Sequence, residues 1–543
     1  MTAKTGFNLF IDEHGNGTRI TGNASGPQKR YWFAVPLLLM LASATFLGYG
    51  NTMAEPDLTR MMTALVYGKA TGLGVSAGYH YGISFSFGYY HLLYALAPSG
   101  SLLDPDQSAR LLNDVGLAFA CLLVFSGCLL FEKLLGSIAA AAASIGFFGC
   151  PMMLPFTISG HPQVAAYALL FFAAWLLLVA QDRPRRMHSL MLALLAMLVI
   201  EAGLSFRAEI ALAFPFIAVA SYFNAGTVFR RQVIWFFSVC AMLAAAYLIF
   251  LVLQRPYVET SGGASGTLHS YINIAHSIGR IGRGAVILAL SMGLFTLLAL
   301  LALVISRRFS RPVVPSLLLI AATLALPTLI FWLPVAQPAR HFMLAIFAFN
   351  LLLASLVRTY LVSIPRAILL GTACILANQL CAELVYPLVV ESYQWSYKMP
   401  VSRRATQQLP LGFFPLDQKA NQAAEAIKRE EAIEFAAGNP QQLIFLADTD
   451  SQNYLIAHLI VKDPSLRLQE TSLGGFDAVH LGNQSRSIYF VSKYKYWPKD
   501  VLAEILNNPN LGTWKIKEQS LTKSRFDKTA LPRDREFGFT TIE

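Results

Sequence analysis

Eleven apolar runs of bilayer length dominate the chain: residues 31–50, 110–131, 135–155, 163–180, 188–206, 209–224, 233–253, 284–305, 313–333, 341–357 and 366–387. A helix needs about 20 such residues to cross a hydrocarbon core, so the runs are read as membrane spans. Only 13% of the residues are charged, about half the share of a soluble domain. The pattern stops near residue 390, and residues 391–543 read as an ordinary soluble domain. Acids and bases nearly balance in that tail, so most of the net charge of +11 sits in the membrane part. Such an excess marks cytoplasmic loops rather than a nucleic-acid partner. All six cysteines (121, 128, 150, 240, 374 and 381) fall in apolar segments. They read as buried small hydrophobes, not as a disulfide framework. Residues 1–28 are polar and read as a disordered cytoplasmic lead. The first apolar run is long enough to stay as a helix, so no cleavable signal is expected.

One further apolar stretch, "YGISFSFGYYHLLYALAP" (81–98), has to be assigned. If it does not cross, Lys29/Arg30, "QDRPRRMH" (181–188), "FRRQ" (229–232), "RRFSRP" (307–312) and Arg358/Arg366 share one side. If it crosses, every later cluster opposes the first. The positive-inside rule selects the non-crossing arrangement. The N-terminus is then cytoplasmic, the tail external, and residues 51–108 form one long external loop. Within it Leu58, Met61, Met62 and Leu65 recur at i, i+3, i+4, i+7, the stripe of a helix lying on the membrane surface. Residues 81–98, rich in interface-seeking Tyr and Phe, predict a second such helix tucked against the bundle. In the tail, 421–437 and 499–508 have helical patterns, while 441–448 and 486–497 look like strands. Their alternation predicts a small α/β domain.

Charged residues at external helix ends are few, and polar groups at membrane depth are functional candidates. "NTMAEPDLTRMM" (51–62) carries Glu55 and Asp57. Asp57, after Pro56, suits a helix N-cap; it equally suits a general base held where lipid headgroups reach it. Glu55 reads as a solvated loop acid or a second carboxylate of the site. Arg207, Arg340, Arg280 and Arg283 form the second set, together with Glu209 and His341. Arginine meets two phosphate oxygens with one planar fork, against the plainer role of anchoring to anionic lipid. Lys69, His80 and His161 complete the candidates on the acceptor side. The histidines have no recognisable metal spacing and read more simply as interface residues. "SGGASG" (261–266) lacks the lysine and setting of a phosphate loop. Asp448 and Asp450 end a predicted strand, where solvation accounts for them.

The layout and three stretches resemble the GT-C superfamily of membrane glycosyltransferases. Its lipid A aminoarabinose transferases and protein O-mannosyltransferases are the families most alike. "EPDLTR" resembles their acid motif after the first span. "GYYHLLYALAPSG", continuing into "SARLLNDVGLAFACLLVF", resembles the interfacial helix and second span. "GCPMMLPFTISGHPQVAAYALLFFAAWLLL" resembles the third and fourth spans. The resemblance covers about residues 30–225, more loosely to 360. It implies a bacterial inner-membrane enzyme with a periplasmic tail, and it places Asp57 at the family's catalytic aspartate. Two departures matter: Leu58 stands where the family has a second acid, and His161 where a further acid is often found. Both count against a carboxylate-bound divalent metal, the one cofactor worth naming.

The expectation is therefore an α-helical polytopic protein of about eleven spans with an external α/β domain. It would move a sugar from a polyprenyl-phosphate donor to a lipid, glycan or protein acceptor. Asp57 would be the base, and the arginines would hold the donor phosphate. The alternative is a transporter or flippase of lipid-linked sugars, which would call for mid-span polar groups and a repeat. No repeat is visible, and mid-span charge is confined mainly to Glu201 and Glu383.

Overall fold

The computed structural model describes residues 31–47, 56–77, 86–97, 105–157, 160–181, 186–224, 274–293, 296–297, 301, 315–333, 339–356, 361, 363–378 and 380, and four strands beyond them. The chain enters at a short 3-10 turn and α1 (Ala34–Leu47). After α2 (Pro56–Thr71) and α3 (Phe87–Leu96) comes α4 (Pro105–Leu135). Next are α5 (Ser137–Phe148), α6 (Met153–Thr157), α7 (Pro162–Gln181) and α8 (Arg186–Phe206). Then follow α9 (Phe214–Asn224), α10 (Ile274–Met292), α11 (Pro315–Trp332), α12 (Met343–Leu356) and α13 (Ile364–Asn378). Three of the described helices are long and apolar enough to cross a membrane: Gln107–Leu135, Pro162–Gln181 and Met187–Phe206. The expected span 233–253 lies outside the described residues, as do the lead 1–28 and the tail helices.

The core is aromatic where α4, α5, α7 and α12 meet. Phe131 stacks on Phe347 at 4.0 Å, and Phe147 and Phe171 close on the same ring at 5.3 and 4.5 Å. On α8 the opposite situation holds: Met187, Leu190, Met191, Leu194 and Leu198 point outward, as a lipid-facing wall does. Glycines set the closest approaches. A Cβ on Gly116 of α4 would lie 2.2 Å from the Gly160 Cα, and Gly160 itself has φ +71°. A side chain at either position would prise α4 from the turn that leads into α7.

Both loop helices form, with differences from expectation. α3 has 10 residues, about 15 Å of helix, half of what a span needs. Its Tyr89, Tyr90 and Leu93 are buried, so it tucks against the bundle. α2 carries the expected stripe, with Leu58, Met61, Met62 and Leu65 buried, but Thr63, Ala64 and Val66 are buried too. It is embedded in protein on more than one face, packed on α3 and α4. It also begins at Pro56, so Asp57 is in the first turn and is not the cap. Proline takes the first helical position because its missing N–H would be unbonded there anyway.

A second correction concerns the span expected at 284–305. Helix α10 starts at Ile274, so Arg280 and Arg283 lie within a helix, three residues apart and on one face. Its glycines hid it: each lowers helix preference by about 1 kcal/mol, yet Ile278, Ile281, Ala285 and Leu288 keep the helical period. The helix ends at Gly293, φ +93°. There Asn378 clamps the chain, donating to Thr296 Oγ1 at 2.7 Å and accepting from the Thr296 N–H at 3.1 Å.

In the tail the strands are β1 (Leu443–Ala447), β2 (Ser487–Ser492), β3 (Ile516–Lys523) and β4 (Glu536–Ile542), in sheet order β1-β2-β4-β3. The two expected strands are parallel neighbours, and β4 pairs antiparallel with β2 and β3.

Candidate active site

Three chain segments ending membrane helices meet at one buried acid. Past α8 the chain is extended at Arg207 (φ −157°, ψ 115°) and then coils into the 3-10 turn Ala208–Ala213. That step carries Glu209 inward, beneath the start of α9. A second 3-10 turn, Ala339–Phe342, launches α12 and carries Arg340 and His341. The third contribution is the first turn of α7, with His161 and Gln163.

At the centre His341 Nδ1 lies 3.0 Å from Glu209 Oε2, with both side chains about a tenth exposed (10% and 11%). Gln163 Nε2 donates to Glu209 Oε1 and lies 3.1 Å from His341 Nδ1. The Trp332 ring, at the end of α11, covers the imidazole at 4.3 Å. Arg207 and Arg340 both bear electrostatically on His341, and Arg207 also on Glu209. Two guanidiniums, a carboxylate and an imidazole thus share one end of the bundle. A buried acid is retained at low cost only when paired and hydrogen-bonded, and here each oxygen has a donor.

The other expected residues sit as follows. Asp57 is in the first turn of α2, where helix geometry favours a carboxylate; Glu55 and His80 lie outside the described residues. Arg280 and Arg283 are on α10, which packs near the 3-10 turn of Arg340 and His341. His161 is fully buried and caps α7: its Nδ1 accepts the Gln163 N–H at 3.1 Å, and its carbonyl accepts Val164 N–H at 2.9 Å. An accepting Nδ1 puts the ring proton on Nε2. Lys69, in the last turn of α2, donates to the Ala97 carbonyl at 3.4 Å and lies 4.3 Å over the Tyr94 ring. Its partners tie the ends of α2 and α3 together. Among the described residues no three His, Cys, Asp or Glu side chains gather as a metal site.

Sequence reasoning named Arg207, Glu209, Arg340 and His341 as external, but gave Glu209 no role and missed Gln163. An amide as the second residue of an otherwise apolar helix was the available signal. Tyr89 joins the first loop to this end of the bundle. It donates to the Gly160 carbonyl at 3.0 Å, and its ring meets Phe206, beside Arg207, at 5.4 Å.

No protein-family model matches the chain, and no curated protein matches it significantly in sequence. Solved structures do. Crystal structures of ArnT from Cupriavidus metallidurans match over 93% of this chain and 97% of that one, at 13% identity. The TM-score is 0.50 for ArnT bound to undecaprenyl phosphate and 0.45 for its apo state. The chain has the fold of ArnT as seen in its undecaprenyl phosphate complex.

Proposed function

We propose that the protein is an inner-membrane glycosyltransferase that uses a polyprenyl-phosphate-linked sugar and delivers it to a lipid, glycan or protein acceptor on the external side. The observation that carries this reading is the meeting of Arg207 and Arg340, far apart in the chain, around Glu209 and His341 at one end of a GT-C-type bundle. The fold's neighbour is a complex with undecaprenyl phosphate, a ligand whose headgroup suits paired guanidiniums. In this reading the tail of 391–543 is an α/β domain in the periplasm. About eleven helices span, with the N-terminus in the cytoplasm.

The acceptor hydroxyl attacks the anomeric carbon in line while Asp57 takes its proton. The new glycosidic bond forms as the bond to the phosphate oxygen breaks. The configuration inverts, and polyprenyl phosphate leaves with the bonding electron pair. Arg340 and Arg207, with Arg280 and Arg283 from α10, stabilise the charge that develops on it. Glu55, two positions before Asp57 in the sequence, is the second carboxylate of this reading.

The test is sugar transfer from polyprenyl-phosphate donors by the purified protein. Asp57→Asn should lose about 10²-fold or more in kcat, and Arg340→Ala about 10²-fold in kcat/KM. A folded Asp57→Asn protein with full activity would remove Asp57 from the mechanism.

A further inference from the structure

Glu209 is a paradox in a phosphate site, since a carboxylate repels the anion its neighbouring arginines would attract. Hydrogen-bond logic explains it. A carboxylate only accepts, so the proton between His341 Nδ1 and Glu209 Oε2 belongs to the histidine. The Gln163 amide nitrogen then donates to Glu209 Oε1. Flipping that amide would set its oxygen against the carboxylate oxygen with no proton between them. Glu209 therefore has both oxygens engaged, and the imidazole is fixed with its other nitrogen, Nε2, on the edge away from the acid. Gln163 is fully buried, and among the described residues its Oε1 has no partner. The amide is thus held by its donor end alone, as an orienting group would be.

We propose that Glu209 and Gln163 are positioning residues that make His341 the third cationic group of the donor-phosphate site, with Nε2 taking up a proton from solvent as the phosphate binds. This rests on the reading of Arg207 and Arg340 as phosphate ligands. Before binding, burial weighs most against the imidazolium, Glu209 favours it, and Arg340 and Arg207 oppose it. The charged groups bearing on the ring from the described elements are these three, with the Gln163 amide and Trp332 ring as neutral neighbours. A bound phosphate adds negative charge and tips the balance, so one proton enters from water and no other bond changes. Binding coupled to proton uptake strengthens as pH falls.

The experiment is titration calorimetry of the full-length protein with undecaprenyl phosphate, in buffers of contrasting ionisation enthalpy between pH 6 and 8. The lipid phosphate has its own ionisation near pH 6, so the difference between wild type and His341→Asn isolates the imidazole. Asparagine keeps an N–H donor near the place of Nδ1 and removes the titrating edge. Wild type should take up at least half a proton more than His341→Asn at pH 7, and its affinity should fall several-fold more between pH 6 and 8. Equal uptake in the two overturns the proposal. Glu209→Gln, which keeps the side chain's shape, should cut the uptake by at least half; unchanged uptake there overturns it even where His341→Asn does not fold. If Arg340→Ala binds the lipid as tightly as wild type, the phosphate-site reading itself fails, which is a separate outcome.

Discussion

Lys69 and His161 entered as candidates for substrate contact, and each makes contacts that account for it. The Lys69 ammonium closes α2 against the carboxyl end of α3, where free carbonyls and an aromatic face both attract a cation. Lys69→Met should lower stability by about 0.5–1 kcal/mol, read as a drop in melting temperature in detergent. A loss of activity with no change in melting would return Lys69 to the substrate. His161→Ala should cost about 1 kcal/mol through the lost cap of α7, and His161→Asn should restore most of it, because asparagine is a strong cap. Thermal melts of the two variants decide this. The start of α2 was legible in sequence because proline and an acid after a span mark a helix start. The Gln163–Glu209–His341 contact was not, since those residues come from three segments far apart, and no spacing along the chain encodes a meeting in space.

At the scale of elements, glycines determine what fits. Gly116 and Gly160 let α4 touch the turn before α7 at backbone distance. Gly116→Ala should destabilise the bundle by about 1–3 kcal/mol, the range for overpacking, visible as early thermal unfolding. A melting curve equal to wild type would mean that α4 can shift freely. The same elements show where hydrophobic period was a good guide and where it was not. It found α7 and α8 almost to the residue, because long apolar runs have few alternatives. It started α10 ten residues late, where glycines interrupt a helix that packing sustains. It also lost β3 and β4: "IKEQSLTK" is mostly polar, and its order comes from antiparallel hydrogen bonding to β4, which a single strand's side chains do not announce.

For the whole molecule, charge asymmetry in the sequence argues for a sidedness, and it acts on loops rather than on any contact. That argument makes a direct prediction about sidedness. In cells with a permeabilised outer membrane, Ser465→Cys should react with a membrane-impermeant thiol reagent. Ser25→Cys should react only after the inner membrane is opened. Labelling of both without opening it would reverse the assignment of 81–98 as non-crossing.

Tyr89 has a mechanical consequence. With its hydroxyl anchored at Gly160 and its ring set among Phe119 and Phe206, α3 cannot swing as a lid swings. It works as a brace: the ring bears on Phe206, and the next residue along the chain is Arg207. A shift of α3 would therefore reach the backbone beside that guanidinium through rigid contacts, without a hinge.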